Sequence, residues 1–138
     1  MIVYLDSSVV LRVLLRDGAP LEGWGDWQRA HASELLGVEV RRVIDRLRIE
    51  GRIPVPALIA LHRELSTIEE AIATVRLTRT VLHRAALPMA TPTGTLDAIH
   101  IATALMLRER SDDDIVFATH DAQQATAAGA LGFRVVGS

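Results

Sequence analysis

Residues 115–136 read IVFATHDAQQATAAGALGFRVV, and this stretch decides the fold. Ile115 to Ala118 is a short apolar run of strand type, Ala122 to Ala128 suits a helix, and Arg134 to Val136 gives another strand. Such a βαβ unit sets its two strands parallel, with the helix across one face of the sheet. The chain opens in the same way. Ile2 to Leu5 reads as a strand; after Asp6-Ser7-Ser8, the residues Val9, Val10, Val13 and Leu14 recur at helical spacing as far as Arg16.

The interior continues the alternation. Arg29 to Ala32 is a short strand, with Ser33 as the expected N-cap of a helix carrying Leu35, Leu36, Val40, Val43, Ile44 and Leu47. Gly51, Pro54 and Pro56 end that helix. Ala57 to Thr74 predicts a helix or a helical pair breaking at Ser66, Val75 to Thr78 an edge strand, and Val81 to Ala86 a short helix. Pro88 to Gly94 is a loop. From Thr95 to Leu107 the chain is apolar almost all round, the mark of a buried helix, and Ser111 to Asp114 is a polar turn. Trp24 and Trp27, three apart, are expected to pack on the core.

A length of 138 residues with 49% apolar content and a mean hydropathy of +0.24 predicts one domain with a single core and rules out intrinsic disorder. With no cysteine there is no disulfide framework, thiolate metal site or cysteine nucleophile. No run approaches the roughly 18 apolar residues of a membrane span, and the opening apolar stretch is too short for a signal peptide, so a cytoplasmic protein is expected. All 15 basic residues are arginine, which removes Schiff-base lysines, Walker A loops and the lysine of receiver-type phosphoacceptor domains. The net charge of −2 announces no global nucleic-acid footprint.

In an open α/β sheet ligands bind beyond the carboxyl ends of the strands, so acids placed there carry information. Asp6 follows the first strand, and Asp121 follows Ala118 through Thr119 and His120; each is equally suited to N-capping the next helix. Glu39 falls at the edge of an apolar stripe, whereas Glu34 falls on the solvated face. A carboxylate so placed needs a partner, which a metal ion or an arginine such as Arg42 would supply. Asp97 lies in the first turn of the most apolar helix, where backbone N–H groups favour an anion and capping alone accounts for it. Four carboxylates around one crevice repel one another, and a hard divalent cation relieves that repulsion: Mg²⁺ or Mn²⁺ rather than zinc. The five histidines show no metal-ligand spacing; His100, one turn after Asp97, is placed to orient it or to bond backbone behind the site. Asp112, Asp113 and Asp114 read as a solvated turn.

The blocks YLDSSVV at 4–10, SELLGVEVRR at 33–42, TLDAIHIATAL at 95–105 and FATHDAQQATAAGALGFRVV at 117–136 together resemble the PIN-domain ribonucleases, in particular VapC-type toxins of toxin–antitoxin pairs. The likeness spans nearly the whole chain in order, and LDAIHIATAL is its most specific piece. It implies that residues 1–138 form a single PIN domain, a three-layer α/β/α fold whose central parallel sheet has the strand order 3-2-1-4-5. It also implies an acidic pocket for Mg²⁺ or Mn²⁺ made by Asp6, Glu39, Asp97 and Asp121, with Ser8 and Thr119 in support. His120 departs from the family pattern, which often has an aromatic residue there. By the same resemblance the partners are an RNA substrate, a cognate VapB-type antitoxin and a second copy of the chain, the last through apolar residues between Ala57 and Ala86. The competing expectation is a PIN-like binding or assembly module without turnover, which loss of any of the four acids would have favoured. A haloacid dehalogenase-type phosphatase would need a second aspartate two residues after Asp6, where Ser8 stands.

Overall fold

A computed structural model describes residues 1–138. Five strands, β1 (Ile2–Leu5), β2 (Arg29–Ser33), β3 (Ala73–Val75), β4 (Ile115–Ala118) and β5 (Arg134–Val136), form one sheet in the order β3-β2-β1-β4-β5. Every neighbouring pair is parallel. The six helices are α1 (Ser7–Leu15), α2 (Leu35–Ile49), α3 (Val55–Ala71), α4 (Arg79–Ala85), α5 (Thr95–Arg110) and α6 (Ala122–Ala130). The result is the expected three-layer α/β/α sandwich.

Strand alternation divides the core. Val3 and Leu5 of β1 point to one face with Ala30, Ala32 and Ala118, where Val9, Val10 and Leu14 of α1, Leu36, Val40 and Ile44 of α2 and Leu65 of α3 cover them. Tyr4 points to the other face with Ile115 and Phe117, against Ile101, Ala104 and Leu105 of α5 and Ala127 and Ala128 of α6. Burial on both faces explains why the two central strands, β1 and β4, are apolar without alternation, whereas β2 alternates and the edge strands β3 and β5 are partly exposed. Helix α5 is the most enclosed, with every residue from Ala98 to Leu105 buried, and α4 lies on its outer side through Val81. Trp24 and Trp27 meet edge-on and pack against the first core.

Several boundaries differ from the sequence expectation, each for a local reason. Ser33 is the last residue of β2, yet its Oγ still accepts the Leu35 amide hydrogen, so it caps the helix from inside the strand. Ser66 does not break α3. Its hydroxyl donates to the His62 carbonyl one turn back, which lets a serine sit inside a continuous helix. Because α3 spans 55–71 and ends at the extended Ile72, the edge strand begins at Ala73 rather than Val75, paired with His31 to Ser33.

The sheet order reverses direction between β1 and β4, whose register runs from Ile2↔Ile115 to Leu5↔Ala118. Beyond that paired end the chain from β1 turns into α1 and the chain from β4 into α6, leaving the crevice that such switch points leave in open sheets. Asp6 and Asp121 stand at the two lips.

Candidate active site

Asp6 is the N-cap of α1 and is almost fully buried. Its backbone amide extends the sheet by donating to the Ala118 carbonyl. Its Oδ2 accepts from the Ser8 amide at 3.1 Å and the Ser8 hydroxyl at 2.5 Å, and Oδ1 accepts from Gln124 Nε2 at 3.2 Å. Capping is therefore only part of its role. The Thr119 hydroxyl lies 3.2 Å from Oδ2 but gives its one hydrogen to Gln124 Oε1 at 2.7 Å, while accepting from the Asp121 amide. Ser8 Oγ in turn accepts from the His120 amide. Asp6, Ser8, Thr119 and Gln124 thus form one satisfied network tying the end of β1 to the end of β4.

Glu39, on the inward edge of α2, does not meet the arginine weighed from sequence. Arg42 binds Asp45 on the outer surface, and Glu39 Oε1 meets His100 Nε2 of α5 at 2.5 Å. The same Nε2 lies 3.7 Å from Asp6 Oδ1, so His100 stands between two carboxylates. His100 therefore serves Glu39 rather than Asp97. Its Nδ1 is 2.7 Å from the Tyr4 hydroxyl, and both side chains are fully buried. Burial alone would depress the imidazole; the hydrogen bond to Glu39 and the charges of Asp6, Glu39 and Asp97 outweigh it and leave His100 above its ordinary range.

Asp97 differs from the others. Gly94 caps α5 without a side-chain bond, and the Asp97 carboxylate takes part in no hydrogen bond, so capping does not account for it. Burial, then the charges of Asp6 and Asp121 and more weakly that of Glu39, push it up to about 6, against the partial relief given by His100. The four acids therefore act on one another across a single crevice. Asp121 is the exposed member, and its Oδ1 caps α6 through the Gln124 amide at 2.8 Å. Asp112 to Asp114 are exposed before β4, at the opposite end of the sheet.

The donor set suits a hard divalent cation: oxygen from four carboxylates, one of them without a hydrogen-bond partner and resisting ionisation. The arginine ion pairs lie elsewhere, at Glu69, Asp45, Glu50 and Glu109. No three acidic or imidazole groups converge tightly enough to form a ready coordination cage. Asp6 and Glu39 are instead turned onto the chain's own donors, so a cation binding here has to compete with those hydrogen bonds.

Two residues of this network escaped the sequence reading. Gln124, fully buried in α6, follows Asp121 by three positions, the spacing of a capping box. Its amide obeys that pattern, but its side chain turns away to Asp6. Tyr4 lies among aliphatic strand residues and reads as core. His120 is held from the side: its Nδ1 is 2.6 Å from the Gly137 carbonyl, and Gly137 has φ of 95° and passes so close that a Cβ would lie 2.8 Å from the Thr119 carbonyl oxygen. Beside Asp121, Ser8 and His120 opens a cleft of about 380 Å³ that also carries Arg12 and Arg46, neither of which has an acidic partner.

The sequence profile described as the PIN domain matches residues 3–130. Among solved structures, the crystal structure of FitAcB from Neisseria gonorrhoeae is similar over 96% of this chain and 95% of its own, with a TM-score of 0.71 and 20% sequence identity, a likeness of fold. No curated protein sequence matches. No helix is long and apolar enough to cross a membrane.

Proposed function

Because the chain belongs to the PIN-domain family, we propose that residues 1–138 act as a single-domain, metal-dependent endoribonuclease of the VapC toxin type. The observation that carries this reading is the charge state of the crevice: four carboxylates, no arginine among them, and Asp97 pushed up to about 6 by burial and by its neighbours. Such a pocket stores repulsion that a divalent cation removes.

Asp6 and Asp97 would hold Mg²⁺ or Mn²⁺ directly, with Glu39 and Asp121 completing the site directly or through water. A cation bound there supplies Lewis acidity toward a phosphodiester and lowers the pKa of a water molecule. The chain's residues do the positioning. Ser8, Thr119 and Gln124 fix the Asp6 carboxylate, and His100 fixes Glu39. Asp121, at the exposed lip, faces incoming substrate. With these four acids set aside, 13 of the 17 carboxylates remain against 15 arginines, so the rest of the molecule carries the positive charge that brings RNA to an acidic pocket.

A cognate VapB-type antitoxin would neutralise the enzyme in the cytoplasm by covering this crevice, and Ile59 of α3 and Leu82 of α4, both exposed, offer apolar surface to a second copy. The test is a Mn²⁺ titration of the purified chain beside Asp97→Asn, followed by incubation of single-stranded RNA with and without EDTA. Metal binding weakened by the substitution, with cleavage abolished by EDTA, supports the reading. RNA binding without cleavage in any divalent ion would make the chain a binding module instead.

A further inference from the structure

We propose that Tyr4 is a positioning residue for the acidic crevice: its hydroxyl hydrogen, given to His100 Nδ1, keeps the imidazole's own hydrogen on Nε2, the nitrogen that faces Glu39 and Asp6. For the neutral imidazole the assignment follows from counting donors. The Tyr4 hydroxyl accepts from the Ser33 amide at 3.3 Å and has one hydrogen to give, with His100 Nδ1 at 2.7 Å. The neighbouring Thr103 hydroxyl gives its own hydrogen to the Ile99 carbonyl and could only accept from Tyr4, but His100 Nδ1 is the side-chain acceptor that meets hydrogen-bond geometry with the Tyr4 hydroxyl. A neutral His100 that accepts at Nδ1 must carry its hydrogen on Nε2, where it donates to Glu39 Oε1. The opposite tautomer would aim a lone pair at Glu39, with the Asp6 carboxylate 3.7 Å away.

The chain Ser33 N–H, Tyr4 O–H, His100, Glu39 runs from the end of β2 through β1 and α5 to α2. It sets where Glu39 stands relative to Asp6 before any cation arrives. Tyr4 touches neither carboxylate and projects to the far face of β1, so it acts only through His100. That the crevice binds metal rests on the preceding reading; the tautomer does not, and the two are tested separately.

The test uses the full chain labelled with ¹⁵N and ¹³C, free of metal at pH 9. Two-bond ¹H–¹⁵N spectra of wild type should show His100 as a neutral ring protonated on Nε2. Tyr4→Phe should show a mixture of tautomers and a displaced Glu39 carboxyl ¹³C resonance. Because Tyr4→Phe leaves the Ser33 amide without its acceptor and loses stability, His100→Gln provides a second arm. Its amide can accept from Tyr4 and donate to Glu39, so it should keep the wild-type Glu39 shift, whereas His100→Leu should lose it. Mn²⁺ affinity should fall about 10-fold in Tyr4→Phe, the low end for loss of a group that orients a ligand. A wild-type ring protonated on Nδ1 or doubly protonated, an unchanged tautomer in Tyr4→Phe, or a Glu39 shift equally lost in both His100 variants would each overturn the proposal. If wild type binds no Mn²⁺, the metal reading fails and the two metal-free readouts alone decide the role of Tyr4.

Discussion

Asp97→Asn should stabilise the metal-free protein while destroying its response to metal. The folded carboxyl keeps its proton up to about pH 6, whereas its ordinary value is 3.8. Between those values the folded chain binds more proton than the unfolded one, so stability falls as pH rises through this window and stays lowered above it. The full shift corresponds to ~3 kcal/mol; for a half-buried carboxylate screened by solvent, ~1–2 kcal/mol is the realistic share. Asparagine has nearly the same shape and no charge to repel Asp6 and Asp121. Urea unfolding in EDTA should therefore show Asp97→Asn more stable than wild type by ~1–2 kcal/mol at pH 8, and the two equal at pH 3.5. Mn²⁺ at ~100 times its dissociation constant should then raise wild type by ~2.7 kcal/mol and leave the variant unmoved, reversing the order. A variant less stable than wild type at pH 8 in EDTA would refute the claim that Asp97 is held under electrostatic stress.

Gln124→Leu removes a buried donor to Asp6 and the acceptor of Thr119, and should cost ~1–3 kcal/mol in a denaturant melt. Replacing Arg12 and Arg46 together by alanine should weaken single-stranded RNA binding and flatten the plot of log affinity against log salt by ~1.4, the share of two phosphate contacts; an unchanged slope would remove the cleft from the RNA path. Asp113→Asn, far from the crevice, should change stability by less than ~0.5 kcal/mol and leave Mn²⁺ binding as it was.

The element order and strand topology were legible because parallel strands buried on both faces need continuous apolar runs, and because Asp6, Asp121 and Pro88 to Gly94 punctuate the helices between them. The edge strand was misplaced because an exposed three-residue strand needs no such run, and Ala73 and Thr74 carry no mark separating them from the preceding helix. The four acids were legible from their positions beyond strand ends, on a stripe edge and in a first helical turn. Their partners were not. Which group meets Glu39 depends on how α2 crosses α5, a distance of 61 residues along the chain that no local pattern encodes. The side chain of Gln124 was hidden in the same way, since its spacing from Asp121 already had an adequate local explanation.

Helix α3 runs for 17 residues yet buries only Leu65, and it carries Val55 and Ile59 largely in water, whereas α5 is enclosed along eight successive residues. The cost of local opening follows that contrast. Amide protons of α3 and of the neighbouring edge strand should exchange with solvent through small, frequent fluctuations, while those of β1, β4 and the middle of α5 should wait for global unfolding. Asp6 is thereby anchored to the part of the molecule that opens last, and Asp97 sits at its margin, one residue before the enclosed run of α5 begins. Glu39 is tied to fully buried His100 of α5 and shares that anchorage, whereas Asp121, exposed at the start of α6, is the least enclosed member of the set.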